Sequence, residues 1–335
     1  METERPNPRF SRIDEWPSRD VLDALIEGQL AAVAAVRAAR PAIESAAIAI
    51  ESRLRHHGRL VYAGAGTSGR LAVQDGAELM PTFGWPKERL LLLMAGGKNA
   101  LLHSIEGAED QVAQAEELIG AHSIGSSDVL IAVAASGTTP FTLACLHQAR
   151  QRGALTVGIA NNRNTPILTD SDQPIWLDTG TEPIAGSTRM NAGTAQRITL
   201  SVLSTLVMIM LGRVYEGLMV EMRAVNKKLV LRSARILVRL SGCSEEAARD
   251  ALAEAQGNIK IALLLLHGCT VSEAQALLDR AGGRLRPALG ALGKSTRSAR
   301  GEGRISDVEA PSIADDSHPP SNQFSRMPLS REDGK

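Results

Sequence analysis

The chain has 335 residues, 44% of them hydrophobic, and its 37 lysines and arginines are matched by 37 aspartates and glutamates. That length buries a full core and suits one large domain with a smaller one beside it. Nothing in the cancelled charge suggests a nucleic-acid or anionic-bilayer partner, so neither is expected.

The opening METERPNPRF is polar and lacks the apolar stretch of a signal peptide. Residues 1–20 read as an extended arm and 21–57 as helix. In that helix Leu22, Leu25, Ile26, Leu30, Val33 and Val36 recur near the 3.6-residue period of a face packed on a core. Apolar runs then alternate with helical stretches: strands at 59–65, 90–96, 128–136, 154–161 and 173–180, helices at 68–80, 99–119 and 140–152. The runs are apolar almost without a break, as strands buried on both faces are. Such alternation predicts a parallel sheet with helices on both sides.

After residue 190 the pattern turns helical. A long buried helix is predicted over 192–217, another over 226–241, and three short ones within 244–291, with Ser244 and Thr270 or Ser272 as N-caps. The longest apolar run, 198–212, falls short of the roughly 18 residues of a membrane span and reads as a core helix. From Lys294 onward Ser, Pro and charged residues dominate, a composition too polar to offset its chain entropy, and disorder is expected. Cys145, Cys243 and Cys269 are few, odd in number and far apart, which fits a reducing cytosol and small buried thiols.

Three stretches carry chemistry. Gly64, Gly66, Thr67, Ser68 and Gly69 end a strand and open a helix, where free N–H groups, the helix dipole and two hydroxyls favour a phosphate. The spacing satisfies the dinucleotide pattern G-x-G-x-x-G, but the next strand, LLLLMAGG, ends without the acid that would hold a ribose. Ser136, Gly137 and Thr138, ahead of Pro140, repeat the design after another strand, and two such loops would converge on one crevice. EPIAGSTRMNAGTAQ, residues 182–196, adds Glu182, Ser187, Thr188 and Arg189 as ligand contacts. Glu78 stands alone ten residues past Ser68. Glu106 and Glu109 share a helical face by their spacing, and Gly107 between them hints at close packing or an approaching ligand. No cysteine and histidine group has metal spacing, so no metal is expected.

The segments GAGTSGRL, DGAE, IEGAED, AASGTTP and GSTRMNAGTAQ, in this order, closely resemble the N-acetylmuramic acid 6-phosphate etherases, which are sugar-isomerase (SIS) domain proteins. NPRFSRID in the arm, NKKL at 226–229 and SGCSEEAA fit as well, so the likeness spans about residues 3–292. It implies an α/β fold with a doubly wound SIS-type parallel sheet, divided into an arm and helix packing on the core (1–57), a sugar-phosphate domain (58–225), a C-terminal helical bundle (226–292) and a disordered tail (293–335). It implies cleavage of the D-lactyl ether of N-acetylmuramic acid 6-phosphate to N-acetylglucosamine 6-phosphate and D-lactate, by elimination and then hydration. The setting would be cell-wall recycling in the cytoplasm, in a homodimer, with no cofactor. Glu78 would be the proton donor and Glu109 the base. Gly66, Thr67, Ser68 and Gly69, with Ser136, Gly137 and Thr138, would hold the phosphate. The chain has Asn191 and Arg197 where the family often has lysine. A sugar-phosphate isomerase would share the fold and need no acid aimed at C3, and a non-catalytic sensor would bind without turnover.

If 68–80 is one helix, Glu78 lies roughly 15 Å along its axis from the phosphate loop. Either that helix breaks before Glu78, or a second subunit completes the site.

Overall fold

Strands β1 (Leu60–Gly64), β2 (Leu90–Met94), β3 (Val129–Val133), β4 (Leu155–Ala160) and β5 (Gln173–Trp176) form one sheet in the order β2-β1-β3-β4-β5, every pair parallel. Leu60 is in register with Leu90 on one side and with Val129 on the other. The computed structural model describes residues 1–55, 57–221 and 227–298. β1 and β3 are buried along their whole length, because each strand sends alternate side chains to opposite faces and both faces are covered.

The covering helices are α1 (Ser18–Ala38), α2 (Arg40–Leu54), α3 (Gly66–Phe83), α4 (Val112–Ala121), α5 (Pro140–Gln151), α6 (Pro166–Thr169) and α7 (Asn191–Met210). Leu60 and Tyr62 join the core made with α1, α2, α3 and α7, and Val61 and Ala63 join the one made with α4 and α5. The expected doubly wound α/β architecture is therefore present. By length and composition α7 could cross a membrane, but it is the core helix the sequence predicts, packed against α1, α2 and α3. Cys145 is buried among α5 and the sheet, and burial pushes its thiol up to about 12, as a packing role requires.

Beyond α7 a hairpin of β6 (Val214–Tyr215) and β7 (Leu218–Met219) precedes α8 (Lys227–Ser241), α9 (Glu245–Glu254), α10 (Ile259–Leu266), α11 (Val271–Arg280) and α12 (Leu285–Ser298). Ser244 caps α9, and Thr270 forms a capping box with Glu273 at α11, as the sequence suggests. These helices and the hairpin share a core of their own around Leu237, Ala262 and Leu264. Residues 1–292 make one compact unit. The disorder expected from residue 293 falls, from 299 on, outside the described residues.

Four expectations need correction. The helix predicted over 21–57 is two helices, because Pro41, in the first turn of α2, has no N–H to continue the ladder. On α1 the apolar stripe faces outward: Leu22, Ile26, Leu30 and Val33 are 58%, 57%, 66% and 49% exposed, while Ala24, Ala32, Ala35 and Val36 are buried. The helix predicted over 99–119 is a loop with short 3-10 turns until α4 begins at Val112. The helix predicted over 192–217 stops at Met210, and Gly212, at φ +75°, turns the chain into the hairpin.

Candidate active site

The strand order reverses direction between β1 and β3, and in such sheets the ligand crevice lies beyond the carboxyl ends of those two strands. The loops leaving β1 and β3 are the two serine- and threonine-bearing loops.

The glycines of the first loop have separate tasks. A Cβ on Gly69 would stand 2.7 Å from the Gly64 carbonyl oxygen, so helix and strand cross here with only backbone between them. Gly66 has open space around it and is needed for its φ of +54°. The N–H of Gly69 reaches the Ala65 carbonyl, so the amides of Gly66, Thr67 and Ser68 form the free first turn of α3. Ser68 is buried there and Thr67 half-buried.

Against this turn lies a cleft of about 330 Å³, lined by Ala65, Gly66 and Arg70 on one side and by Ile105, Glu106 and Glu109 on the other. Glu109 thus faces the turn that opens α3, although it does not reach it from a helix. Gly107 adopts φ +68° with nothing near its missing Cβ, so the residue answers a backbone demand, not a packing one. With Gly96 and Gly97 also left-handed, the segment arches over the loop. Arg70 fixes the arch: its Nε donates to the Ala100 carbonyl at 3.0 Å and an Nη to that of His103 at 3.2 Å. Sequence reasoning missed Arg70, and the signal was a lone cation directly after a glycine-rich anion loop.

The third stretch also arrives. A Cβ on Gly193, in the first turn of α7, would sit 3.2 Å from the Thr188 carbonyl oxygen and 3.6 Å from the Thr67 methyl. Thr188 therefore borders the first turn of α3. Ser187 and Arg189 lie in the same loop, which the arm pins from outside: Gly186 N–H donates to the Thr3 carbonyl at 2.9 Å, and Asn162 Nδ2 donates to the Thr3 hydroxyl at 2.9 Å. Ser136 is half-buried at the end of β3, where its hydroxyl accepts from Thr138 N–H at 3.2 Å. Gly137 has φ +71° and packs on Thr165, since a Cβ would lie 2.1 Å from the threonine hydroxyl.

Two residues stand apart. Glu182 is buried, and its carboxylate accepts from Asn191 N–H and Ala192 N–H, each at 2.9 Å, so it caps α7. Burial lifts its pKa, and those two amides oppose the shift. Glu78 is exposed on α3, which runs unbroken from Gly66 to Phe83, so the option of a helix broken before Glu78 falls away. One turn before it Asp75 is buried, accepts from the Tyr62 hydroxyl at 2.8 Å and the Ser204 hydroxyl at 3.3 Å, and faces Arg197 at 3.7 Å. Burial raises the Asp75 pKa, against those hydrogen bonds and Arg197, and the Glu78 charge adds to the rise. Asn191 turns toward α1, where its amide oxygen accepts from Gln29 at 3.0 Å.

The model of the glucokinase regulatory protein N-terminal SIS domain matches residues 43–150, and that of the SIS domain matches residues 99–211. An N-acetylmuramic acid 6-phosphate etherase of Deinococcus radiodurans is 48% identical, over 88% of this chain and 97% of its own length. The chain belongs to the N-acetylmuramic acid 6-phosphate etherase family. A second such etherase, from Mycolicibacterium smegmatis, is 41% identical over 87% of this chain and 98% of its own. Among solved structures, a phosphoheptose isomerase from Francisella tularensis matches 57% of this chain and 98% of its own, with 19% identity and a TM-score of 0.45.

Proposed function

We propose that this etherase-family chain cleaves the D-lactyl ether of N-acetylmuramic acid 6-phosphate, releasing D-lactate and N-acetylglucosamine 6-phosphate. The observation that carries the reading is the cleft in which the open first turn of α3 faces Glu109. The turn takes the phosphate, with Gly66, Thr67, Ser68 and Gly69 as its cradle. Ser136, Gly137, Thr138, Ser187 and Thr188 complete its surroundings, and Glu182 acts on the site by holding the first turn of α7.

The chemistry follows from the open-chain sugar. Its C1 aldehyde acidifies the C2 proton, which Glu109 removes as base. The electron pair moves into a C2–C3 double bond and the C3–oxygen bond breaks. The departing alkoxide is a poor leaving group, so Glu78, as acid, gives it a proton while it leaves. Water then adds across the double bond, its oxygen to C3 and a proton to C2. No step calls for a metal or a redox cofactor.

Glu78 serves in this scheme as part of a second copy. Its place on an unbroken helix, roughly 15 Å from the phosphate loop, puts it beyond a hexose phosphate bound in its own subunit. The outward stripe Leu22, Ile26, Leu30 and Val33 on α1 supports a homodimer, since an apolar face of that length calls for a partner. We assign the reaction to the cytoplasm. We retain the division into arm and first helices (1–57), sugar-phosphate domain (58–225) and bundle (226–292).

Subunit mixing tests the scheme. Glu78→Gln and Glu109→Gln homodimers should each lose roughly 100-fold or more in lactate release. Unfolded and refolded together, they would form heterodimers with one intact site in two, restoring about a quarter of wild-type activity. No recovery would place both acids in one subunit. In 18O-labelled water the label belongs at C3 of the sugar, and label in lactate would refute C3–oxygen cleavage.

A further inference from the structure

At the other edge of the sheet, where β1 and β2 begin, a second cavity of about 170 Å³ lies between α2, Trp85 and the C-terminal bundle. Its lining is strongly cationic. Arg55 pairs with Glu51, and Lys260 with Glu221. Arg89, Arg213 and Arg284 have no carboxylate in salt-bridge reach among the described residues, yet all three line the cavity.

Two of them are held in place from behind. Arg89 lies over the Trp85 ring at 4.4 Å and donates to the carbonyls of Gly58 and Leu54, at 2.8 and 2.6 Å. Arg213 lies over the same ring at 4.9 Å and donates to the carbonyls of Phe83 and Gly84, both at 2.9 Å. The carbonyls of Leu54, Phe83 and Gly84 close helix ends and that of Gly58 lies just ahead of β1, which accounts for one edge of each guanidinium. Burial lowers the pKa of Arg89, the nearby Arg213 lowers it further and Glu88 opposes the shift; burial also lowers that of Arg213, against the charge of Glu221. Arg284 completes the ring, its stem lying so close over Gly212 that a Cβ there would come within 2.6 Å of it.

We propose that this cavity binds a phosphate group, as inorganic phosphate or as a small phosphate monoester, independently of the cleft at the carboxyl edge. Three guanidiniums match the charge and the fork geometry of a tetrahedral oxyanion. The volume equals about six water molecules, enough for phosphate with little attached to it. Occupied, the site would clamp the sheet to the bundle, because Arg284 belongs to the segment entering α12 and Arg89 and Arg213 to the sheet side.

The test is equilibrium dialysis with radiolabelled inorganic phosphate, and in parallel with methyl phosphate. Wild type should bind two equivalents with at least one ligand, each with Kd below about 1 mM. Ser68→Ala should keep binding at the cavity beside Trp85. Arg284→Glu, at an exposed position that leaves the helix-end hydrogen bonds intact, should bind one equivalent. It should also melt higher in phosphate-free buffer, because its carboxylate replaces the missing anion. Arg89→Lys should weaken the second equivalent about tenfold. Uptake of phosphate at the second site names the free ion as sufficient, and uptake of the ester alone names the ester. One equivalent of both ligands in wild type, a second Kd in the tens of millimolar, or two equivalents retained by both arginine variants would overturn the proposal.

Discussion

Replacing Gly69 by alanine tests whether the β1–α3 crossing sets the phosphate loop. The new Cβ would lie 2.7 Å from the Gly64 carbonyl oxygen and 2.8 Å from its carbon. Ordinary contact begins at 3.4 Å, so strand and helix must part by about 0.7 Å, and neither neighbour is a side chain that can rotate away. Overpacking of this kind costs about 3 kcal/mol. Alanine in place of glycine within a helix returns about 1 kcal/mol. The net loss of about 2 kcal/mol should lower the melting temperature by roughly 3 °C in a chain of this size. The same displacement moves the amides of Thr67 and Ser68, so KM for the sugar phosphate should rise at least tenfold, with a smaller change in kcat. Calorimetry and initial-rate measurements on the purified variant read both effects. An unchanged melting temperature together with an unchanged KM would refute the claim that backbone contact at this crossing positions the loop.

Other perturbations read other parts of the molecule. Ile26→Glu with Leu30→Glu should convert a dimer to a monomer in light scattering and lower lactate release at least tenfold; a fully active monomer would end the shared-site scheme. Thr3→Val removes the acceptor for Asn162 Nδ2, at a cost of about 1–2 kcal/mol, and should speed hydrogen exchange at the Gly186 amide about tenfold. No change in that exchange would show that the arm does not hold the loop. Asp128 is pushed up by burial, but its bonds to the Arg59 side chain and to the amides of Gly125 and Arg59 outweigh that and hold its pKa below the usual range. Its stabilisation is therefore complete above roughly pH 4 and is lost as pH falls through the lowered value. Asp128→Asn should be about 1–3 kcal/mol less stable to urea at pH 7. The gap should narrow steadily below pH 4, and a gap unchanged down to pH 2 would contradict the assignment.

The sheet was legible because its strands are covered on both faces, which leaves continuous apolar runs such as LVYAG and VLIAV. The glycine-rich turn from β1 into α3 was legible for a related reason: a strand end, three glycines and two hydroxyls precede the helix. The arch bearing Glu109 was misread as helix. Its apolar spacing suits one, but Gly96, Gly97 and Gly107 sit at positive φ, and no propensity scale reports which glycines will do so. Periodicity on α1 found the residues that share a face without saying which way the face turns, since the buried side is built of alanines small enough for close approach to α7. The distance between Glu78 and the phosphate loop followed from helical rise alone once the helix was continuous.

That reversal on α1, with alanine inside and leucine and isoleucine outside, has a consequence for handling the protein. Where a second copy covers the stripe, folding and association share one equilibrium, and apparent stability rises with protein concentration by mass action. Melting curves taken at micromolar and at nanomolar concentration would not superimpose. Activity per chain would fall on dilution well before any chain unfolds, so specific activity carries meaning only with the concentration at which it was measured.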